Sequence, residues 1–367
     1  MRVLVVDDEK LIRDVIKEYL LLEKIEVEEA DAGDIVAIAG LDDIYVGETI
    51  CKEGLEEALP LIKVSEPTVQ MNFGTNTSPF AGKEGQFVTG RKIEERLFRE
   101  TQRDVSLRIN RVDNKEEWIV SGRGELHLSI LIENLRREGF EFQVSRPRVI
   151  LKEIDGVINE PYEYVQVDVP DEYIGSAIEM FGNRRGNLEG MNSKDGQTRL
   201  IYTIPSKGLI GFMTDFLTAT HGYGIINHTF LEYRPVQPDV FMGRKLGVLV
   251  SINQGMATTY ACGGVEDRGE LLIEPGIMVY EGMIVGICNR EEDLAVNITR
   301  EKQMTNQRSA TKDSTTVLKK PRVFSLENYL SFIDEDELVE VTPNSIRLRK
   351  MILDTVERKK YDSTKLK

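Results

Sequence analysis

The sequence predicts an α+β multidomain protein: two ferredoxin-like βαββαβ domains, a partial β-barrel before them, and a mixed β-rich C-terminal domain with a closing helix. Three observations carry this. From residue 64 to 145 the apolar periodicity runs strand, helix, strand, strand, helix, strand, the split βαβ order of ferredoxin-like domains. The same order returns before residue 235. Glycines bound the second helix of each copy at matching distances, 15 residues from Gly124 to Gly139 and 14 from Gly208 to Gly222. A chain of 367 residues holds roughly two to four domains. The expected divisions are 1–25, 26–62, 63–145, 146–235 and 236–367.

The elements follow in order. Val3 to Val6 form an apolar run before Asp7-Asp8 and an amphipathic helix through Leu20, like the opening of a response-regulator receiver. A receiver also needs an acceptor Asp after its third strand, and there is no Asp between Ile44 and Asp104. From Glu26 the pattern becomes short β segments punctuated by Gly33, Gly40 and Gly47. In the first module, strands are expected ending at Val69–Phe73, at Val105–Ile109, Trp118–Ser121 and Phe140–Val144, with helices over Ile93–Thr101 and Leu126–Glu138. In the second, strands are expected over Glu163–Val169, Asn187–Ser193, Thr198–Pro205 and Gly224–Tyr233, with helices over Ile174–Gly182 and Leu209–Thr220. Beyond residue 236, β segments are expected at Leu246–Ser251, Met256–Ala261, Glu270–Ile273 and Ile284–Cys288. Thr342-Pro343 reads as the N-cap and first turn of the closing helix.

Composition and missing motifs exclude several functions. With 47 Lys+Arg against 62 Asp+Glu the net charge is -15, which argues against general polyanion binding and leaves room for a local basic patch. Cys51, Cys262 and Cys288 are far apart and odd in number, which excludes a disulfide framework and suits a reducing cytoplasm. No apolar run approaches the 18 or so residues of a membrane span, so a cytoplasmic monomer with no membrane partner is expected. No P-loop is present: Gly82-Lys83 is followed by Glu84, a negative charge where the metal-binding hydroxyl belongs. His127, His221 and His228 have no metal-ligand spacing, and no GxSxG occurs, so neither a catalytic nor a metal site is expected.

Longer motifs then carry a resemblance. Ser121-Gly122-Arg123-Gly124-Glu125-Leu126-His127-Leu128 resembles the SGxGELHL signature of elongation factor G domain III. Asn72 to Gly82, with Gly85 to Thr89, resembles the BipA/TypA branch of translational GTPases. Ile204 to Gly211 is similar to that branch's fifth domain, and Asp336 to Pro343 with Ser345 to Lys350 to its terminal domain. The resemblance covers about residues 26 to 367. It implies a ribosome- and rRNA-binding portion of a factor linked to large-subunit assembly and stress adaptation. In the intact family GTP and Mg²⁺ are held by a G domain that this chain does not contain, so the chain alone is expected to hold no cofactor. The alternative is a receiver-fused regulator controlled by phosphorylation at Asp7 or Asp8.

The candidate RNA contacts are basic. Arg300, Lys302, Arg308, Lys312, Lys319, Lys320 and Arg322 face only Glu301 and Asp313 in a polar stretch, a sign reversal within an acidic chain. Arg184 and Arg185 sit in a Gly-flanked loop that fits either a phosphate contact or a solvated turn. Arg347, Arg349 and Lys350, with Arg358, Lys359 and Lys360, are expected on the outer face of the closing helix, with Ile346, Ile352, Leu353 and Val356 turned inward.

Overall fold

A computed structural model describes residues 46–51, 57–60, 66–237, 244–302 and 318–365. The chain divides into two compact units, residues 1–63 with 102–105, and residues 64–101 with 106–367. In the first unit, the receiver-like start and most of the expected partial barrel lie outside the described residues. Val46 and Gly47, expected to end a strand, form a turn in which Gly47 has φ 98°.

The second unit opens with the first ferredoxin-like module. Its strands are β1 (Val69–Thr75), β2 (Arg108–Arg111), β3 (Glu117–Gly122) and β4 (Phe142–Ser145), and its helices are α1 (Gly90–Arg103) and α2 (Glu125–Arg137). All neighbours are antiparallel in the order β4-β1-β3-β2. Ile93 and Leu97, four residues apart on α1, and Leu128, Leu131, Ile132 and Leu135 on α2 bury one stripe of each helix against the sheet. Two short strands, β5 (Arg148–Val149) and β6 (Lys152–Ile154), lead to the second module.

That module comprises β7 (Val157–Pro170), α3 (Ile174–Asn183), β8 (Asn187–Lys194), β9 (Gln197–Pro205), α4 (Phe212–Ala219) and β10 (Ile225–Pro235). Its order, β10-β7-β9-β8, repeats the first module's topology. Phe181 stacks on Tyr202 at 4.3 Å between ring centres and tilts against Phe212 at 4.5 Å, forming an aromatic core. Helix α4 starts three residues later than expected. Ser206–Leu209 forms a 3₁₀ turn, and Gly211 adopts the left-handed φ of 68° just before the helix.

The terminal region contains β11 (Val248–Ser251), β12 (Gly255–Met256), α5 (Thr259–Val265), β13 (Gly269–Leu271), β14 (Met278–Val279), β15 (Met283–Cys288), β16 (Leu294–Val296), α6 (Leu326–Phe332), β17 (Glu337–Val341), β18 (Ile346–Lys350) and α7 (Thr355–Lys365). Two expectations are corrected. The β segment expected through Ala261 ends at Met256, because Thr258 Oγ1 accepts the Ala261 N–H and caps a helix instead. The closing helix does not begin at Thr342. Thr342 Oγ1 accepts from Ser345 N–H in the turn of a β17–β18 hairpin, and Ile346 to Lys350 alternate as a strand. Helix α7 starts at Thr355, where Asp354 Oδ1 accepts from the N–H groups of Val356 and Glu357. Its orientation departs from the expectation at two positions: Val356 is exposed, whereas Arg358 is buried and donates to the carbonyls of Ile352 and Leu353; Lys359 and Lys360 are exposed, as expected.

Strand β17 pairs with β4, Leu338 to Val341 lying opposite Ser145 to Phe142. The first module and the terminal region therefore share one eleven-stranded sheet and one apolar cluster containing Phe73, Phe142, Val144, Val339, Val341 and Leu348. Phe142 is fully buried at this junction and stacks on Phe73 at 5.8 Å. Replacing Phe142 by Ala is expected to cost about 3–5 kcal/mol. Urea unfolding followed by far-UV circular dichroism and by Trp118 fluorescence should show both probes shifting together, because the cavity lies under one continuous sheet.

Candidate nucleic-acid interface and the intermodule cleft

The structure sorts the expected RNA contacts into three groups. Arg300, Lys302, Lys319, Lys320 and Arg322 are exposed, whereas Arg308 and Lys312 lie outside the described residues. Both ends of this basic segment are rooted around α5. Thr258 Oγ1 at its N-cap donates to Arg300 O at 2.6 Å, and Glu266 just past its end accepts from Lys319 N–H at 2.7 Å. Arg322 N–H donates to Leu271 O, while its guanidinium lies over Phe324 and 3.6 Å from Glu270.

The Arg184-Arg185 pair divides. Arg184 donates to the carbonyls of Gly208 at 3.1 Å and Ile210 at 2.8 Å and pairs with Asp215 at 2.9 Å, so it fastens the end of α3 to the turn before α4. Burial lowers its pKa, with the charges of Asp215 and Glu125 opposing. Arg185, held at φ 60°, is exposed and donates to Gln237 Oε1 at 3.2 Å.

Arg347, Arg349 and Lys350 are corrected outright: they point into the protein. Arg347 pairs with Glu84 and with Glu340, the latter at 3.0 Å. Arg349 donates to Thr77 Oγ1 at 2.7 Å and to Gln143 Oε1. The Lys350 side chain, 2% exposed, meets Asp293 at 2.5 Å, Asp336 at 2.8 Å and Glu337 at 2.8 Å. Glu337 is fully buried and also receives Arg244. The reason is that β18 is an interior strand between β15 and β17 covered on both faces: the successive residues Leu348, Arg349 and Lys350 are all buried, so neither side presents cations outward as the helical reading expected.

The Asn72–Gly85 motif packs against the same seam. Asn76 Nδ2 donates to Glu141 at 2.8 Å and Glu340 at 2.9 Å, and Ser78 Oγ donates to Glu340 at 2.9 Å. Tyr280 completes the set through its hydroxyl, 2.7 Å from Glu340 Oε2. Burial, then the Glu340 charge, pushes the tyrosine pKa up, so it remains a donor. Gly82 and Gly85 give their N–H groups to Glu141, and a Cβ at Gly85 would come within 2.3 Å of the Glu141 Cβ.

The two remaining motifs face each other across a cleft of about 770 Å³. Glu125, at the start of α2, accepts from Gly211 N–H at 2.6 Å. A Cβ on Gly211 would come within 2.7 Å of Ser331 Cβ, so this glycine is needed both for its φ and for its approach to α6. Burial pushes the Glu125 pKa up to about 7; the Gly211 N–H and Arg184 oppose this, and Glu327 and Asp215 add to it. His127, at the start of α2, accepts from Arg123 N–H at 3.2 Å. Among the described residues no group of three His, Cys, Asp or Glu side chains could hold a metal ion.

Sequence reasoning missed Glu125 as an intermodule contact and Lys350 as the centre of an acidic cluster. For Lys350 a signal was present: Glu337 and Glu340 before a turn match Lys350 and Arg347 after it in opposite sign and spacing, as cross-strand pairs do.

Three family models match this chain. Residues 88–146 match Elongation Factor G, domain III, residues 157–243 the Elongation factor G C-terminus, and residues 246–355 the TypA/BipA C-terminal domain. These define a class, elongation factor G-type translation-factor modules followed by a TypA/BipA terminal domain. The chain is 57% identical to the large ribosomal subunit assembly factor BipA of Bacillus subtilis over 340 residues, covering 92% of this chain and 56% of that protein. It is 52% identical to the Synechocystis protein of that name over 331 residues, covering 90% of this chain and 55% of that protein. For the one from Escherichia coli K12 the values are 50% over 343 residues, 93% and 56%. The chain spans about half the length of these relatives, and across that span it is of BipA/TypA type. All three matched models are translation-factor domains, so the receiver-fused alternative gains no support.

The Lys350 cluster sets a testable pH dependence. Burial pushes the Glu337 carboxyl up, but Arg244 and Lys350 outweigh it and hold the pKa below the ordinary 4.5. Its contribution to stability is therefore full above about pH 4.5 and fades as pH falls through the lower folded value. Lys350→Met is expected to cost about 3–5 kcal/mol at neutral pH, because buried acids lose a cation. The acid limb of its stability profile should move to higher pH. Urea titrations across the acid range measure both.

Proposed function

We propose that this chain is the ribosome-docking portion of a BipA/TypA-like large-subunit assembly factor, which engages ribosomal RNA through the basic segment Arg300–Arg322. The single observation that carries the reading is the match of residues 246–355 to the TypA/BipA C-terminal domain, which includes that segment. The role that the relatives' name states, assembly of the large ribosomal subunit, is proposed for this chain on that ground.

Charge supports RNA as the contact. Seven basic side chains stand against two acidic ones in the segment, in a chain of net charge -15. Neutralising phosphates releases condensed counterions, so a local basic segment can bind where the body repels. The described ends of the segment are both held at α5. Arg185 offers a second exposed cation, whereas Arg184, Arg347, Arg349 and Lys350 are engaged within the protein.

GTP and Mg²⁺ enter this proposal only through the intact family, and no GTP hydrolysis is proposed for the chain alone. A cytoplasmic monomer acting in stress adaptation fits the same reading. Among the described residues no helix is long and apolar enough to cross a membrane.

Sedimentation with purified large subunits at several salt concentrations tests the proposal. Affinity should fall with salt at a log–log slope of roughly -0.7 to -0.9 per neutralised phosphate. Replacing Lys302, Arg308 and Lys312 together by Ala should weaken binding and make the slope shallower by about two to three. The urea midpoint should stay close to that of the parent chain. An unchanged affinity and slope would reject this segment as the contact.

A further inference from the structure

The intermodule cleft has chemistry that the RNA reading does not use. Leu126 and Ile130, one turn apart on α2, line it at 60% and 52% exposure. Met213 and Leu217, with the same spacing on α4, line it at 37% and 41%. Facing helices that each offer an i, i+4 apolar pair form a groove of the shape and width that takes an amphipathic helix.

Four carboxylates also line the cleft. Two have cationic or imidazole partners: Glu66 pairs with Lys152, and Glu163 lies 2.5 Å from His228 Nδ1. The other two are less engaged. Glu125 uses Oε2 for Gly211, while its Oε1 is buried without a hydrogen-bond partner among the described residues. Glu327 has a hydroxyl contact of 3.5 Å from Ser129. A buried carboxylate oxygen without a donor is costly, and a cation brought by a ligand would relieve that cost.

We propose that this cleft docks a basic amphipathic segment of a partner protein, its apolar side chains seated between Leu126–Ile130 and Met213–Leu217 and a Lys or Arg meeting Glu125 and Glu327. Nucleic acid is disfavoured here, because its phosphates would face the same two carboxylates. This inference goes beyond the ribosomal RNA contact and does not depend on it: the cleft is built from α2, α4, α6 and β10, while the basic segment is rooted at α5.

The charge state of Glu125 makes docking pH-dependent. Arg184 and the Gly211 N–H favour its ionised form; burial, Glu327 and Asp215 favour the neutral form, with the midpoint at about 7. Arg123, His127 and the His228–Glu163 pair also line the cleft. A cation prefers ionised Glu125, so affinity should rise about tenfold from pH 6 to pH 8, following its ionised fraction.

The test is fluorescence anisotropy on the full chain with a labelled, end-blocked helical peptide of about 14 residues, four turns, carrying Leu at i, i+4, i+7 and i+11 and Lys on the flanking positions. Saturable binding is expected, weakened at least tenfold by Leu126→Asp and, separately, by Met213→Asp. These two variants lie on different helices at exposed positions, so misfolding of one leaves the other informative. Each adds negative charge, so attraction of a basic peptide to an acidic protein would be preserved or strengthened by them. The pH dependence should flatten in Glu125→Gln. Failure to saturate, equal binding of a scrambled peptide of the same composition, unchanged affinity in both Asp variants, or displacement of the peptide by oligouridylate would each overturn the proposal. Because no ribosome is present, failure here leaves the RNA-contact test unaffected.

Discussion

The structure depends on a buried carboxylate, Glu340, at the seam where β17 adds to the first module's sheet. Fully buried and charged, it would be prohibitive alone, since an unpaired ion costs several kcal/mol even after relaxation. Four side chains converge on it: Asn76 and Ser78 from the loop after β1, Arg347 from β18, and Tyr280 from the turn before β15. Charge-assisted bonds of about 1.5–3 kcal/mol each can outweigh the desolvation, but only if all donors are present together. That condition makes the seam specific. Another strand meeting β4 could form the backbone ladder but would not bring the matching donors.

The same arrangement explains why a conspicuous stretch of basic residues is absent from the surface. Arg347, Arg349 and Lys350 neutralise acids within the sheet, so the terminal region's net charge says little about what its exterior presents. Among the basic residues nominated from the sequence and described in the structure, those exposed are Arg185, the two ends of the Arg300–Arg322 segment, and Lys359 and Lys360 on α7. The exterior basic patch is thus smaller and more localised than the composition suggests. The acidic intermodule cleft and the basic segment suit partners of opposite charge.

Much of the fold was legible. The repeated βαββαβ order, the second-helix spacing and the strand alternation in β1, β3 and β9 reflect local periodicity, which the residues carry themselves. What failed needed tertiary information. Ile346 to Lys350 is only five residues long, too short for its periodicity to separate strand from helix, and the Thr342-Pro343 pair favoured helix; pairing with Glu337 to Val341 settled it. Met256 to Ala261 looked extended until Thr258 claimed the Ala261 N–H. The net positive charge of the Arg300–Arg322 segment could be read from the residues alone. Glu125 could not, because its significance lies in a contact 86 positions away with Gly211.

The central claim is that β4–β17 pairing and the Glu340 cluster make the first module and the terminal region one cooperative unit. Native-state hydrogen exchange at increasing urea measures this most directly. The account predicts that the slowest amides of β1, β4 and β17 converge on one opening free energy and one urea dependence. If β17 and β18 exchanged through a separate, lower-energy opening while β1 and β3 stayed protected, the seam would not be what holds the molecule together.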